Sequence, residues 1–327
     1  MRSLHVAPES WPIRGSFTIS RGSKREALVV VATLSEGAHT GRGECVPYGR
    51  YGETVASVLE QISALKPRIE AGMTRARLQV LCPAGAARNA LDCALWDLEA
   101  KQRSTPVWKL AGLAEPGPFV TAYTLSLDTP AAMAAAAAGA AQFSVLKLKL
   151  GADAVIETVS AVHKASPRAK LILDANEAWD MAHLQAVSPR LKALNAVLIE
   201  QPLPAGADDA LAGHDWPVPL CADESCHGIE GLAQLRPKYG LINIKLDKTG
   251  GLTCALALGR AARHLGFGVM VGCMVSTSLA MAPATLLAEM ADYVDLDGPL
   301  LLRQDRADGL RSTAGGILHP ASPALWG

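Results

Sequence analysis

From about residue 119 onward, short apolar runs alternate with helix-like segments. The runs begin near Phe119, Ser144, Lys170, Ala196, Val218, Leu241, Gly268 and Tyr293. They recur about every 25 residues, the spacing of a β-strand plus a crossover helix. Helical segments fill the gaps, including Pro130 to Ala141 and Gly251 to Leu265. Eight such units predict an α/β fold with a TIM-like (β/α)8-type barrel. A dinucleotide-binding sheet loses its main support, because no G-x-G-x-x-G opens the first unit. The nearest match, Gly266-Phe-Gly268, comes before a strand instead of after one.

The pattern before residue 119 is different. Ala27 to Leu34 is a short apolar run, and Gly41-Arg-Gly-Glu reads as a turn into another strand. Val55 to Leu65 and Gly85 to Lys101 have helical spacing, with Ala90, Leu91, Ala94, Leu95 and Leu98 forming one apolar stripe. Strands followed by helices predict a small α+β domain, closed by the turn-rich stretch from Leu110 to Pro118. The expected division is residues 1–116 for that domain, 117–300 for the barrel, and 301–327 for a segment that returns to the first domain.

Composition narrows the classes. The chain has 327 residues, 50% of them hydrophobic and 19% charged, enough to bury a large core and too few charges for disorder. Lys+Arg and Asp+Glu both number 31, so nothing favours a nucleic-acid surface or a polybasic membrane patch. The N-terminus lacks a signal-peptide stretch, and no segment has the ~20 apolar residues of a spanning helix. The seven cysteines are scattered without a C-x-x-C pair and read as buried apolar residues of a reducing compartment. Cys221, Cys226 and His227 fit no common zinc spacing. A cytoplasmic setting is expected, with no nucleic-acid or membrane partner. The oligomeric state stays open, a homo-oligomer included.

Three acids close successive runs: Asp174 in L-I-L-D-A-N-E, Glu200 in V-L-I-E-Q-P and Asp223 in L-C-A-D-E-S. In a barrel of this kind the active site lies at the C-terminal ends of the strands. Any one acid there would read as a helix cap or a surface turn. Three in succession, on the third, fourth and fifth strands, describe hard oxygen ligands for Mg²⁺. Lys147 and Lys149, two apart on the second strand, leave the same face and point inward. Buried ammonium groups are costly unless paired or used. Lys245, in L-I-N-I-K-L-D on the sixth strand, lies across the barrel from them.

This geometry suits proton transfer at a carbon next to a carboxylate. Removing that proton creates an enediolate, which Mg²⁺ stabilises. A positioned base contributes on the order of 10²–10⁴ in rate when unprotonated. Two bases on opposite faces permit inversion, a 1,1-proton transfer. Asp295 and Asp297 in D-L-D-G-P share a face near the last strand and would suit a substrate ammonium group, although alone they would read as a solvated turn. Arg21 in F-T-I-S-R-G-S-K is placed on a loop able to cover the barrel mouth, and its planar fork suits a carboxylate.

These motifs together resemble the enolase superfamily, in the subgroup related to muconate-lactonising enzymes, and in particular its L-Ala-D/L-Glu epimerases, a class of dipeptide epimerase. The resemblance spans nearly the whole chain. It rests on R-Y-G-E near Tyr51, P-A-G-A-A-R-N-A-L-D-C-A-L-W-D-L from Pro83, K-L-K-L from Lys147, D-A-N-E from Asp174, E-Q-P-L-P from Glu200, C-A-D-E-S from Cys221 and N-I-K-L-D-K-T-G-G-L-T from Asn243. It implies a capping α+β domain and a (β/α)7β barrel. It also implies Mg²⁺ on Asp174, Glu200 and Asp223, with Lys149 and Lys245 as the acid/base pair and Lys147 assisting. Asp295 and Asp297 would hold the dipeptide's α-ammonium group, and Arg21 would meet the glutamate side chain. The implied activity is epimerisation of L-Ala-D/L-Glu, as in murein peptide recycling. On the same scaffold the alternatives are a cycloisomerase or o-succinylbenzoate synthase-type lyase and an N-acylamino acid racemase. From another class, a non-catalytic ligand-binding barrel fits poorly with so complete a polar set.

Overall fold

A computed structural model describes residues 1–327. The chain opens with a long antiparallel hairpin, β1 (Arg2–Ile19) and β2 (Gly22–Glu36), continued by β3 (His39–Cys45). Three helices follow, α1 (Val55–Glu70), α2 (Arg75–Leu81) and α3 (Ala86–Gln102). Thr54 starts α1 with a capping box, accepting from Ser57 N while Ser57 Oγ accepts from Thr54 N. The buried residues of α3 run along nearly its whole length, because it lies between the sheet and the barrel. Gly41 and Gly43 let it approach β3, since a Cβ at Gly41 would collide with Ala94 O and one at Gly43 with Ala90 O.

Eight parallel strands then form the barrel: Tyr123–Leu125, Val145–Lys149, Lys170–Asp174, Ala196–Glu200, Leu220–Ala222, Leu241–Ile244, Gly268–Gly272 and Tyr293–Asp295. Ala122 N donates to Val294 O at 2.8 Å, joining the first strand's start to the last strand. Period-two alternation decides what each strand contributes. Leu171, Leu173, Ile199, Ile242, Ile244, Val269 and Val271 belong to the large core beneath the outer helices. Ala122, Ile172, Leu198, Cys221, Leu241 and Met270 form a separate apolar cluster. Ile172, Leu198 and Cys221 stand two residues before Asp174, Glu200 and Asp223, so an apolar floor and a carboxylate layer share one face of the strands.

The first apolar run is split. Phe119–Val120 pairs with Ile317–Leu318, outside the barrel, and the barrel strand starts only at Tyr123. The S-T-A-G-G-I-L-H-P segment therefore packs beside residues 119–120. The chain returns to the N-terminal unit at two places: Arg303 N donates to Pro12 O at 2.8 Å and Arg306 Nη2 to Glu44 Oε2 at 2.6 Å, while Trp326 Nε1 donates to Cys93 O at 3.0 Å and Gly327 N to Asp97 Oδ1 at 2.8 Å. No helix is long and apolar enough to cross a membrane.

Candidate active site

The barrel mouth holds a cavity of about 370 Å³. Lys147, Lys149, Asp223, Lys245, Asp295 and Asp297 line it from the barrel, while Arg21 and Lys24 line it from the hairpin tip. Asp174 and Glu200 are fully buried just behind this lining. The parallel register sets Lys149 beside Asp174, Asp174 beside Glu200, and Glu200 beside Cys221, with Asp223 two residues on. Chemistry-bearing residues on four consecutive strands are thus brought to one level.

The acids and lysines are interleaved. Lys149 Nζ lies 2.5 Å from Asp174 Oδ2, and Lys245 Nζ lies 2.6 Å from Asp223 Oδ2. Lys147 Nζ reaches Asp295 Oδ2 at 2.7 Å, Glu200 Oε2 at 2.8 Å and Asp174 Oδ2 at 3.2 Å. Each charge is too buried to stand alone, so each is paired. Burial opposes ionisation of Asp174, but Lys149 and Lys147 hold it down at about 2. Lys245 and Lys248 likewise keep Asp223 well below the ordinary range despite burial. Burial would lower the lysines, yet Asp295 and Glu200 raise Lys147, and Asp223 and Glu200 raise Lys245.

Glu200 differs from its neighbours. Its Oε1 accepts from Asn243 Nδ2 at 2.8 Å. Its Oε2 is close to Lys147 but has no partner of hydrogen-bond geometry. Burial, and then the charge of Asp174, push it up to about 7. The acids turn toward lysines and do not form a ready cluster of metal ligands, and Asp174, Glu200 and Asp295 converge on Lys147 Nζ. The donor set still fits a hard divalent cation. Asp174, Glu200 and Asp223 are carboxylates on adjacent strands, and the under-satisfied Glu200 calls for more positive charge.

The D-x-D pair is fixed from both sides. Asp297 Oδ2 accepts from Thr124 N at 2.6 Å, while burial and Asp295 raise its carboxyl to about 7. Asp295 Oδ1 is buried without a partner. A carboxylate oxygen in that state can accept from an incoming ammonium group.

Arg21 sits at the mouth, but its fork is engaged by the protein. Nη1 donates to Asn176 O at 2.8 Å and Glu177 Oε2 at 3.0 Å, and Nη2 to Tyr48 OH at 3.1 Å and Glu224 Oε1 at 2.7 Å. The sequence-based expectation of an arginine offered to substrate meets a different arrangement, since four acceptors from neighbouring loops already surround it. Lys24, for which the sequence shows no role, lies in the β1–β2 ladder opposite Phe17, and its side chain forms no ion pair and no hydrogen bond. Its Nζ stands 5.7 Å from the centre of the Phe17 ring, and Lys149 Nζ stands 5.8 Å from the same ring. Burial and Lys149 lower Lys24 to about 8. Asn243 and Lys248 are not legible in the sequence either, although both belong to N-I-K-L-D-K. Their spacing from Lys245 carries no sign that they reach back to strands four and five.

Comparison with known proteins agrees with this architecture. Residues 1–112 match the family model "Mandelate racemase / muconate lactonizing enzyme, N-terminal domain", and residues 130–323 match "Enolase C-terminal domain-like". The chain is 47% identical over 317 residues to the L-Ala-D/L-Glu epimerase of Escherichia coli, covering 96% of this chain and 99% of that one. It is 46% identical over 301 residues to an N-acetyl-D-glutamate racemase of Pseudoalteromonas, covering 91% and 95%. An Agrobacterium tumefaciens enolase family member with homology to dipeptide epimerases, solved with sodium and L-Ala-L-Glu, superposes with a TM-score of 0.97 at 50% identity over 100% of both chains. A dipeptide epimerase of Enterococcus faecalis, solved with Mg and L-Leu-L-Tyr, superposes with a TM-score of 0.90 at 28% identity over 99% and 98%. With both family models together spanning most of its length, the chain belongs to the enolase superfamily, in the mandelate racemase and muconate-lactonising branch.

Proposed function

We propose that this chain is a Mg²⁺-dependent dipeptide epimerase that inverts the C-terminal residue of L-Ala-D/L-Glu, in a cytoplasmic setting such as murein peptide recycling. The observation that carries the reading is that Lys149 ends the second barrel strand and Lys245 follows the sixth. Two amines therefore flank one cavity from opposite sides. Asp174, Glu200 and Asp223 would hold the metal. Bound there, Mg²⁺ supplies positive charge to the enediolate that forms when the α-proton leaves.

The chain's own groups do the rest. The dipeptide's α-ammonium group meets Asp295 Oδ1 and Asp297, which fixes the α-carbon between the lysines. One lysine, as neutral amine, takes the α-proton and becomes an ammonium ion. The other, already an ammonium ion, gives a proton to the opposite face and becomes an amine. Lys147, anchored on Asp295 and Glu200, keeps a permanent positive charge beside the reacting carboxylate. For the glutamate side chain we assign Lys24, the unpaired cation in the cavity, and we assign Arg21 to holding the loop.

A second reading comes from the 46% identical N-acetyl-D-glutamate racemase. Its substrate has no α-ammonium group, so the unpartnered Asp295 Oδ1 favours the dipeptide. The test is incubation with Mg²⁺ and L-Ala-L-Glu in deuterium oxide, followed by proton NMR. Deuterium should enter at the glutamate α-carbon as the D-epimer appears, and Lys149→Ala or Lys245→Ala should each abolish epimerisation. No exchange across a panel of Ala-Xaa dipeptides rejects the dipeptide reading. Faster exchange of N-acetyl-glutamate under the same conditions favours the second.

A further inference from the structure

One buried lysine takes no part in the chemistry above. Lys248 lies in the short helix Leu246–Thr249 that follows the sixth strand, and its side chain is fully buried. It does not line the cavity. Its Nζ donates to Asp223 Oδ1 at 2.6 Å, to the Asp223 carbonyl at 2.5 Å and to the Asn243 carbonyl at 2.9 Å. An ammonium group has three protons to give, and these three acceptors of the protein take them.

These contacts amount to more than an ion pair. Lys248 grips Asp223 by side chain and backbone together, so both the rotamer and the strand end are held. Through the Asn243 carbonyl it ties the fifth strand to the sixth. Asn243 also donates to Glu200 Oε1, so two carboxylates are positioned by one small network. Asp223 is left with a single oxygen facing inward, Oδ2, which contacts Lys245.

We propose that Lys248 is a positioning residue that occupies one oxygen of Asp223, so that Asp223 presents only Oδ2 to a cation in the cavity. The assignment rests on the reading of Asp223 as a metal ligand. It has a chemical consequence. Mg²⁺ demands near-ideal octahedral geometry, whereas Ca²⁺ accepts bidentate carboxylates and variable geometry. An Asp223 kept to one oxygen therefore favours the smaller ion. Without Lys248, the carboxylate could turn both oxygens inward.

The test is Mn²⁺ binding to metal-stripped protein, followed by the free-ion EPR signal, with Mg²⁺ and Ca²⁺ as competitors. Lys248→Met should weaken Mn²⁺ binding by about 10–100-fold, the usual effect of losing a group that orients a ligand, and should lower the preference for Mg²⁺ over Ca²⁺. The sign is diagnostic, because removing a nearby positive charge without other effect would tighten binding of a dication. Unchanged or tighter Mn²⁺ binding in the folded variant overturns the proposal. Lys248→Gln, which keeps one donor, should fall between parent and Lys248→Met and serves if the methionine variant does not fold. Parent protein that binds no Mn²⁺ removes the metal reading and this assignment together. Parent that binds, beside an unaltered variant, removes this assignment alone.

Discussion

At the scale of single residues, Lys24 and Arg21 stand in different surroundings, and under the proposed function Lys24 takes the carboxylate contact that the sequence assigned to Arg21. Both belong to R-G-S-K at the hairpin tip, yet only Arg21 finds acids. Arg21 is held by Glu177 and Glu224, while Lys24 lies half-buried on Phe17 facing the cavity. A charge-assisted hydrogen bond from Lys24 to a substrate carboxylate would contribute about 1.5–3 kcal/mol. Lys24→Met should therefore reduce kcat/KM for L-Ala-D/L-Glu by about 10–150-fold and spare dipeptides with an apolar second residue. Because burial and Lys149 lower Lys24 to about 8, its charge is present below that pH and lost above it. The kcat/KM ratio of acidic to apolar dipeptides should fall as pH rises through about 8, and taking the ratio cancels titrations common to both substrates. A ratio that Lys24→Met leaves unchanged would place the side-chain contact elsewhere.

At the scale of elements, what the sequence reveals depends on how local the cause is. Seven barrel strands begin within two residues of their apolar runs, since alternation between the inner cluster and the outer core is written within each run. The run at Phe119 misleads because its partner is Ile317–Leu318, about 200 residues away. Asp174, Glu200 and Asp223 are legible because each ends or directly follows a strand. Lys24 and Lys248 are not, because their burial appears only when a hairpin or a short helix docks on the barrel. The same holds for Glu177, which joins two loops of the N-terminal unit to the third barrel strand. It accepts from Arg21 at 3.0 Å, from Arg50 at 2.8 Å and from Ala205 N at 2.8 Å. Arg21 is at the β1–β2 tip and Arg50 in the turn Gly49–Tyr51, so one carboxylate holds both loops over the mouth. Exposed ion pairs contribute little, and these arginines are about one-third exposed; the effect of Glu177→Gln should thus be local. Trypsin cleavage after Arg21 and Arg50 should accelerate several-fold while the thermal midpoint stays within a few degrees. Equal cleavage rates in parent and variant would leave the loops held by other contacts.

At the scale of the whole molecule, the N-terminal unit and the barrel are joined by buried polar contacts next to the site. Arg88 donates to Thr249 O at 2.7 Å and Gly250 O at 3.1 Å. Asp92 accepts from Thr253 N at 2.9 Å. Asp247, two residues after Lys245, accepts through Oδ1 from Val46 N at 3.0 Å and Asn89 Nδ2 at 2.7 Å. No cation pairs with Asp247, and burial pushes its carboxyl up to about 7, against hydrogen bonds from Val46 and Asn89 that favour the charged form. This acid is raised in the folded state, so from about pH 4 to about pH 7 the folded chain keeps a proton that the unfolded chain has released. Stability then falls as pH rises across that window and levels off above it. Asp247→Asn cannot ionise and keeps an acceptor oxygen for both donors. Its thermal midpoint relative to the parent should rise from pH 5 to pH 8, with the gain developing mainly below about pH 7. The other raised acids, Asp92 among them, are present in both proteins and drop out of the difference. A midpoint difference that stays constant with pH would mean that Asp247 ionises as readily in the folded joint as in the open chain.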